Sequence, residues 1–170
     1  MSAKEFQNEI KEKLEAYFGA TVVVEWPISE GATDRFAPNN SRYSPTVNVA
    51  VNTAGTTPGN HLHEIRTFWE KRAPVRLKDY FRQSRWNDNP RCALAIEVVF
   101  SAAPKYILGD FTNSSMMGLY GAVIPSPKME TKVRKVLQYV EAVRAVGKAP
   151  ANLFQNVRII PQAEFVNLLS

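Results

Sequence analysis

The chain has almost no cysteine. Its single thiol, Cys92, has no second cysteine with which to form an internal disulfide or a cysteine-rich zinc site. The chain also has only two histidines, His61 and His63, and no third ligand is evident near them, so we do not expect a histidine metal site. These shortages fit a reducing compartment and leave oxygen ligands as the basis for any metal site.

Long apolar runs are also missing. No stretch approaches the roughly 18 consecutive apolar residues of a membrane-spanning helix. The N-terminal segment MSAKEFQNEIKEKLEAYFG is charged and amphipathic and lacks the apolar core of a secretory signal. We therefore expect a cytoplasmic protein without a membrane partner.

The composition that remains is that of a soluble globular protein. Hydrophobic residues make up 45% of the 170 residues and charged residues 22%, which predicts a single domain over 1–170. Lysine and arginine number 21 against 16 aspartate and glutamate, so the net charge is +5. Such a balance permits a nucleic-acid partner and does not demonstrate one.

Hydrophobic periodicity predicts a central sheet flanked by helices. The predicted elements are helix 3–18, strand 21–28, strand 46–53, two helices within 54–92, strand 93–100, helix 107–118, strand 120–125, helix 129–147, strand 156–161 and a short C-terminal helix. This order is typical of an α/β fold in which residues 54–92 form a helical insertion. The helical connection between strands 93–100 and 120–125 predicts that these two strands are parallel.

One carboxylate lies in the middle of an apolar strand. Glu97 is the single charged residue of the segment ALAIEVVF. An unpaired charge in such a strand is costly to bury. Glu97 must therefore reach solvent at a strand end, pair with a cation, or hold a metal ion through its oxygens.

Three segments resemble a known family. SPTVNVAV, AIEVVFS and KYILGDFTNSSMMGLYGAVIP, together with the first helix, are similar to the core of the PD-(D/E)xK nuclease superfamily, which has the restriction-endonuclease-like fold. That core consists of a helix, three strands, a helix and a strand, and the resemblance covers residues 3–53 and 93–127. It implies a restriction-endonuclease-like α/β core, with a central mixed sheet and a helical insertion, that acts on nucleic acid, with DNA as the expected form.

The resemblance also implies a set of site residues. The family's metal-binding aspartate corresponds to Asn48, its acidic residue to Glu97, and its lysine to Val99, so that Lys105 after the turn is the candidate replacement. Glu97, Lys105 and Asn48 would then be catalytic. Glu97, Asn48 and Glu9 would hold Mg²⁺ or Mn²⁺, which polarises the phosphate and activates water.

The departures from the family pattern leave two functions open. An amide oxygen at Asn48 is a poorer Mg²⁺ ligand than a carboxylate, and Val99 is unable to activate water. The chain is therefore either a divergent metal-dependent nuclease or a catalytically inactive relative that binds nucleic acid or a protein partner. A homodimer is compatible with the family. Ordinary roles are open too, with Glu9 paired to Lys13 and Asp110 at the start of a helix.

The insertion is the second candidate site. Basic and aromatic residues alternate over 61–91, and arginines suit phosphates while aromatic rings stack on unpaired bases. The candidate nucleic-acid-binding residues are Arg66, Arg72, Arg76, Arg82, Arg85 and Trp86. Arg35 and Arg42 would extend the same basic surface. The alternative is a pair of helices whose aromatic side chains pack inward while their charges are solvated.

Overall fold

The computed structural model describes residues 1–27, 46–53 and 60–170. The predicted loop at 29–45, with Arg35 and Arg42, lies outside the described residues, as does most of the linker that precedes the insertion.

Five strands form one open mixed sheet in the order β1-β2-β3-β4-β5. The strands are β1 (Val22–Pro27), β2 (Thr46–Val51), β3 (Cys92–Val99), β4 (Gly118–Pro125) and β5 (Val157–Ile159). β1, β2 and β3 are antiparallel neighbours, whereas β4 is parallel to both β3 and β5. The predicted parallel pairing across the helical connection is therefore confirmed.

Six α-helices of the described residues flank this sheet. They are α1 (Ala3–Phe18), α2 (Leu62–Arg72), α3 (Val75–Phe81), α4 (Pro104–Met117), α5 (Glu130–Ala145) and α6 (Gln162–Leu168). The predicted α/β class, with a mixed sheet between helices, is confirmed. Within the described ranges, no helix is both long enough and apolar enough to cross a membrane.

α1 begins and ends where the sequence predicts. The Ser2 hydroxyl accepts a hydrogen bond from the Glu5 backbone N–H, and the Glu5 carboxylate accepts one from the Ser2 N–H. This reciprocal pair caps the first turn. Gly19 follows the last turn with φ at 69°, in the region that glycine tolerates best.

The two faces of the sheet carry different helices. Side chains alternate between the faces along each strand. Leu94 and Ile96 of β3 point to the face covered by α1, α2, α3 and α6, where they join a cluster that includes Phe6. Val99 of β3 joins a second cluster with Ile107 of α4. Glu97 has the same parity as Val99 and therefore belongs to the face that α4 covers.

The helical insertion is built into the first of these clusters. Trp69 of α2 and Phe81 of α3 are buried, and the ring centroid of each lies 5.0 Å from that of Tyr120 in β4. Phe18 of α1 stacks on Trp69 at 6.4 Å. The inward-packing interpretation is confirmed for these aromatic residues, whereas Trp86 is 44% exposed.

Close packing of α4 on β4 depends on Gly121. A Cβ at this position would lie 2.9 Å from Ser114 Cβ and 2.9 Å from Val157 Cγ2. We expect Gly121→Ala to lower the free energy of unfolding by about 1–2 kcal/mol, measured by denaturant titration. The control is Gly109→Ala within α4, where an added Cβ meets nothing within 4 Å and a gain of up to about 1 kcal/mol is expected. Equal stability of Gly121→Ala and wild type would contradict this packing.

Candidate functional site

Where β2 and β3 separate, hydrogen bonds from side chains take the place of backbone hydrogen bonds between the two strands. The paired residues of these strands end at Val49 and Ile96. The next residues in this register are Asn48 and Glu97, both predicted from the sequence as site residues. The Asn48 backbone N–H donates to Glu97 Oε2 at 3.4 Å, and the Val98 backbone N–H donates to Asn48 Oδ1 at 2.7 Å. Each of the two site residues thus satisfies a backbone group of the opposite strand.

α4 and β1 add further polar side chains at this place. Asn113 of α4 donates from Nδ2 to Glu97 Oε1 at 3.3 Å. Glu25 of β1 accepts from Asn48 Nδ2 at 3.2 Å and has φ at 50°, which is uncommon for a residue other than glycine. Asp110 lies one turn before Asn113 on α4. We call Glu25, Asn48, Glu97, Asp110 and Asn113 the polar junction.

Glu97 is the most buried charged group of the polar junction, with 3% of its surface exposed. Burial raises the pKa of Glu97 well above its ordinary value, and the negative charge of Asp110 adds to that rise. The hydrogen bonds from Asn113 and from the Asn48 N–H act in the opposite direction. In the described part of the chain, no lysine or arginine is among the groups that shift this pKa. Glu97 therefore holds its proton at pH values where an ordinary glutamate is charged.

Asp110 shares this behaviour. Burial raises the pKa of Asp110 to about 6. The residue lies inside α4 and does not start it, because α4 begins at Pro104. The prediction that Asp110 starts a helix is therefore wrong. The polar junction holds two carboxyl groups, those of Glu97 and Asp110, whose pKa values are raised.

Lys105 lies outside the polar junction. It stands in the first turn of α4, and its Nζ lies 4.9 Å from the ring centroid of Tyr106. Val99, which the sequence resemblance sets at the position of a lysine, is buried with Ile107 in the cluster beneath α4. Lys105 is not among the groups that shift the pKa of Glu97. The side-chain oxygens of Glu97 accept hydrogen bonds from Asn113 and from the Asn48 N–H.

Glu9 is on the wrong side of the sheet to join Asn48 and Glu97. α1 packs through Phe6 and Ile10 against the face that carries Ile96, and Glu97 belongs to the opposite face. The side-chain ion pair within α1 joins Lys11 and Glu15 at 2.6 Å. The structure therefore brings together two of the predicted site residues, Asn48 and Glu97, and leaves Glu9 and Lys105 elsewhere.

Sequence reasoning missed three members of the polar junction. Glu25 interrupts the alternation of β1, because Val22 and Trp26 on either side of it belong to different core clusters, and strand periodicity alone does not predict its contact with Asn48. Asp110 and Asn113 are three residues apart and share one side of α4, which is a helical spacing. Their proximity to Glu97 depends on how α4 crosses β3, and no sequence pattern gives that crossing.

The polar junction, as it is arranged, does not fit Mg²⁺ or Mn²⁺. Both ions need several ionised or carbonyl oxygens that are open to them. The two Glu97 oxygens accept from Asn113 and Asn48, and Asn48 Oδ1 accepts from Val98. Among the described residues, no group of three or more histidine, cysteine, aspartate and glutamate side chains is placed to hold a metal.

The predicted nucleic-acid-binding residues lie at a different part of the molecule. α2 and α3 cover the face opposite α4. The loop after α3 runs beside the first residues of β3 and β4, where the Asn87 N–H donates to the Leu119 carbonyl at 3.1 Å and the Arg91 N–H to the Met117 carbonyl at 2.7 Å. Glu97 is near the other end of β3. The two candidate sites are thus separated by most of the length of that strand.

Two of the predicted arginines are engaged within the protein. Arg76 donates from Nη1 to the Asn167 carbonyl at 3.2 Å, and Arg82 forms an ion pair with Asp79. Arg72 is exposed at the last residue of α2. These contacts are on the surface and leave the guanidinium groups accessible to an anionic partner.

An open polar cleft of about 240 Å³ lies beside Trp86. Its lining residues include Arg85, Asp88, Asn89 and Gln155. The Arg66 guanidinium lies 4.2 Å from the Trp86 ring centroid, which is a cation–π contact. An exposed indole, guanidinium groups and amides are the groups that stack on bases, bind phosphates and contact base edges.

Comparison with protein-family models, curated protein sequences and solved structures gives no significant match to this chain.

Proposed function

We propose that this chain is a restriction-endonuclease-like domain that binds nucleic acid and does not hydrolyse it. The observation that carries the proposal is the pairing of Asn48 with Glu97 across β2 and β3. The two residues occupy the positions that the family motif uses for its acidic ligands. Their oxygens accept hydrogen bonds from the protein itself, and Val99 stands buried where the motif has a lysine.

The order of elements supports this assignment. α1 is followed by three antiparallel neighbours, β1, β2 and β3, then by α4 and by β4, which is parallel to β3. The family core has the same sequence of a helix, three strands, a helix and a strand. Residues 60–91, which enter between β2 and β3, add the cleft beside Trp86 to this core.

Charge and the cleft support nucleic acid as the ligand. The net charge of +5 favours association with phosphates. The cleft offers Trp86 for stacking and Arg85 for a phosphate, which suits an unpaired nucleotide better than a base inside a duplex. We therefore assign single-stranded DNA or RNA as the preferred form.

A second candidate function is metal-dependent hydrolysis of phosphodiesters with Mg²⁺ or Mn²⁺. One observation favours it: Asp110 and Glu25 both raise the pKa of Glu97. A bound cation would relieve this repulsion between carboxylates. Hydrolysis would require Asn113 to release Glu97 Oε1, because that oxygen now accepts the Asn113 amide hydrogen.

Substitution of Trp86 tests the proposed binding. We expect Trp86→Ala to weaken the binding of a labelled single-stranded oligonucleotide by about tenfold, the scale of one lost base–aromatic stack. Arg85→Ala is expected to weaken binding less and to reduce its salt dependence. Fluorescence anisotropy over a range of salt concentrations measures both effects.

The matched control is Arg134→Ala on α5, where the arginine is paired with Glu130 at 2.8 Å. This change removes one positive charge away from the cleft and is expected to alter affinity by less than about twofold. Equal weakening by Arg134→Ala and Arg85→Ala would show a diffuse charge effect in place of a defined cleft. Absence of binding at low salt would contradict the proposed function.

A further inference from the structure

α4 and α5 enclose an open apolar groove on the outer surface of the molecule. Its volume is about 410 Å³, and Leu108 of α4 with Val136 and Tyr139 of α5 form its floor. The groove lies on the far side of α4 from the sheet, since Ile107 and Phe111 take the inward positions of that helix. It is separate from both the polar junction and the cleft beside Trp86.

Exposed apolar side chains gather along this groove. Of the residues that line it, Tyr139 is 68% exposed and Leu108 is 38% exposed. Val136 and Tyr139 are three residues apart, so they lie on one side of α5. A continuous apolar surface of this kind marks an interaction site more often than chance exposure does.

The rim of the groove is positively charged. Lys105, Lys132 and Lys135 are among its lining residues, and no aspartate or glutamate is among them. Lys132 is held in place because its Nζ donates to the Ala102 carbonyl at 2.7 Å. An apolar floor between lysines is complementary to a ligand with an apolar face and acidic edges.

We propose that this groove binds an acidic amphipathic helix of a partner protein. A groove between two helices accepts a third helix that presents apolar side chains at i, i+3, i+4 and i+7. The α5 residues that line the groove run from Lys132 to Tyr139, a span of about 10 Å that matches the two turns between positions i and i+7 of a bound helix. Glutamates at the edges of that helix would face Lys105 and Lys135.

Two other occupants fit less well. A nucleic-acid strand needs base-edge partners and closely spaced cations, whereas the floor at Leu108 and Val136 is aliphatic. A second copy of this chain, related by a twofold axis, would bring the same lysine rim against itself and place like charges together. A partner helix with carboxylates meets neither difficulty.

The test uses the full chain, labelled with ¹⁵N, and a synthetic helical peptide of about 14 residues. The peptide carries leucine at the i, i+3, i+4 and i+7 positions and glutamate at its remaining exposed positions. Anisotropy of the labelled peptide gives the dissociation constant, and amide chemical-shift changes locate the binding site. Circular dichroism confirms that each variant is folded.

We expect saturable binding with shift changes confined to α4 and α5. Leu108→Asp is expected to weaken binding at least tenfold and Lys135→Glu about fivefold. Lys148→Glu makes the same charge change outside the groove and is expected to change affinity by less than about twofold. If Leu108→Asp does not fold, Tyr139→Ala replaces it as the variant in the floor of the groove, because Tyr139 is exposed.

The proposal is overturned if wild-type protein does not bind the peptide, or if the groove variants bind it as well as wild type does. It is also overturned if shift changes fall on α2 and α3, or if single-stranded DNA produces the α4–α5 shifts that the peptide does not. Wild-type self-association that Tyr139→Ala abolishes would assign the groove to a second copy. Failure of the peptide to bind leaves the proposed nucleic-acid binding at the cleft beside Trp86 standing, whereas α4–α5 shifts with single-stranded DNA would also count against that cleft.

Discussion

Glu97→Gln is expected to make the protein more stable than wild type above neutral pH, by on the order of 2 kcal/mol. Glutamine is neutral at every pH and has nearly the shape of glutamate. The glutamine carbonyl oxygen still accepts the hydrogen bond from the Asn113 amide. The hydrogen bond from the Asn48 N–H, which is 3.4 Å long in wild type, is lost because the glutamine nitrogen does not accept. The substitution removes the cost of ionising a carboxyl group that is 3% exposed.

The sign of this effect follows from proton linkage. The pKa of Glu97 is raised in the folded state, so the folded protein holds a proton that the unfolded chain has already released. The stabilisation is complete below the ordinary glutamate pKa and is lost as pH rises through the folded value. The wild-type free energy of unfolding should therefore fall with rising pH, and Glu97→Gln should remove that fall.

Urea titrations between pH 4 and pH 9 measure the prediction. The pKa of Asp110 is raised to about 6 in the folded state. In Glu97→Gln the free energy of unfolding should therefore still fall, by a smaller amount, between roughly pH 4 and pH 6. The exposed Glu12 provides the control, and Glu12→Gln should leave the pH profile unchanged. A Glu97→Gln profile parallel to that of wild type would show that Glu97 is ionised at neutral pH.

Asn48→Asp is expected to create a divalent-cation site that wild type does not have. The change puts a carboxylate oxygen in place of Asn48 Nδ2, which donates to Glu25 Oε1 at 3.2 Å, so that two carboxylate oxygens of the polar junction face each other. The added carboxylate increases repulsion in the absence of a cation and supplies a hard oxygen ligand in its presence. We expect Mn²⁺ to bind the variant at least about 30-fold more tightly than wild type, or about 2 kcal/mol.

Isothermal titration of Mn²⁺ and the Mn²⁺ dependence of the melting temperature measure this gain. The control is Asn89→Asp, which makes the same chemical change in the exposed loop that follows α3. That control should bind Mn²⁺ no better than wild type. Tight Mn²⁺ binding by wild type that Glu97→Ala abolishes would show that the polar junction opens for a metal and would favour the second candidate function.

The fold was accessible from the sequence because its signals are local. Phe6, Ile10 and Leu14 recur at helical spacing in α1, and alternation of valine with polar residues marks β2. Sequence order also predicted the parallel pairing of β3 with β4 through α4. Element ends differ by one to three residues, as at Pro104, which takes the first position of α4 three residues before its predicted start. Proline suits that position because its fixed φ is helical and its missing N–H would have no partner there.

The candidate site was only partly accessible. The family resemblance named Asn48 and Glu97 together as site residues, and the strand register puts them opposite each other. For Glu97 the sequence predicted a cation or a metal ion as the partner, and it named Lys105 as the candidate replacement for the family's lysine. The actual partner, Asn113, is further along the chain and reaches Glu97 because α4 folds back over β3. Hydrophobic periodicity does not predict how a helix such as α4 packs across a strand.

The insertion shows the same limit. Its interleaved arginines and aromatic residues suggested one continuous binding surface. Burial divides them, since Trp69 and Phe81 belong to the core and Trp86 remains exposed. Hydrophobic periodicity over such short helices does not distinguish a ring that packs inward from one that stacks on a ligand.

The most direct measurement follows a single-stranded, end-labelled oligonucleotide in one Mg²⁺-containing buffer by anisotropy and by gel electrophoresis. If the chain binds nucleic acid without hydrolysing it, we expect saturable, salt-dependent binding by wild type, and the oligonucleotide should stay full length after prolonged incubation. The same test is repeated with Mn²⁺. Shortened products that appear with wild type and disappear with Glu97→Ala would contradict the proposed function and would show that the chain is a nuclease.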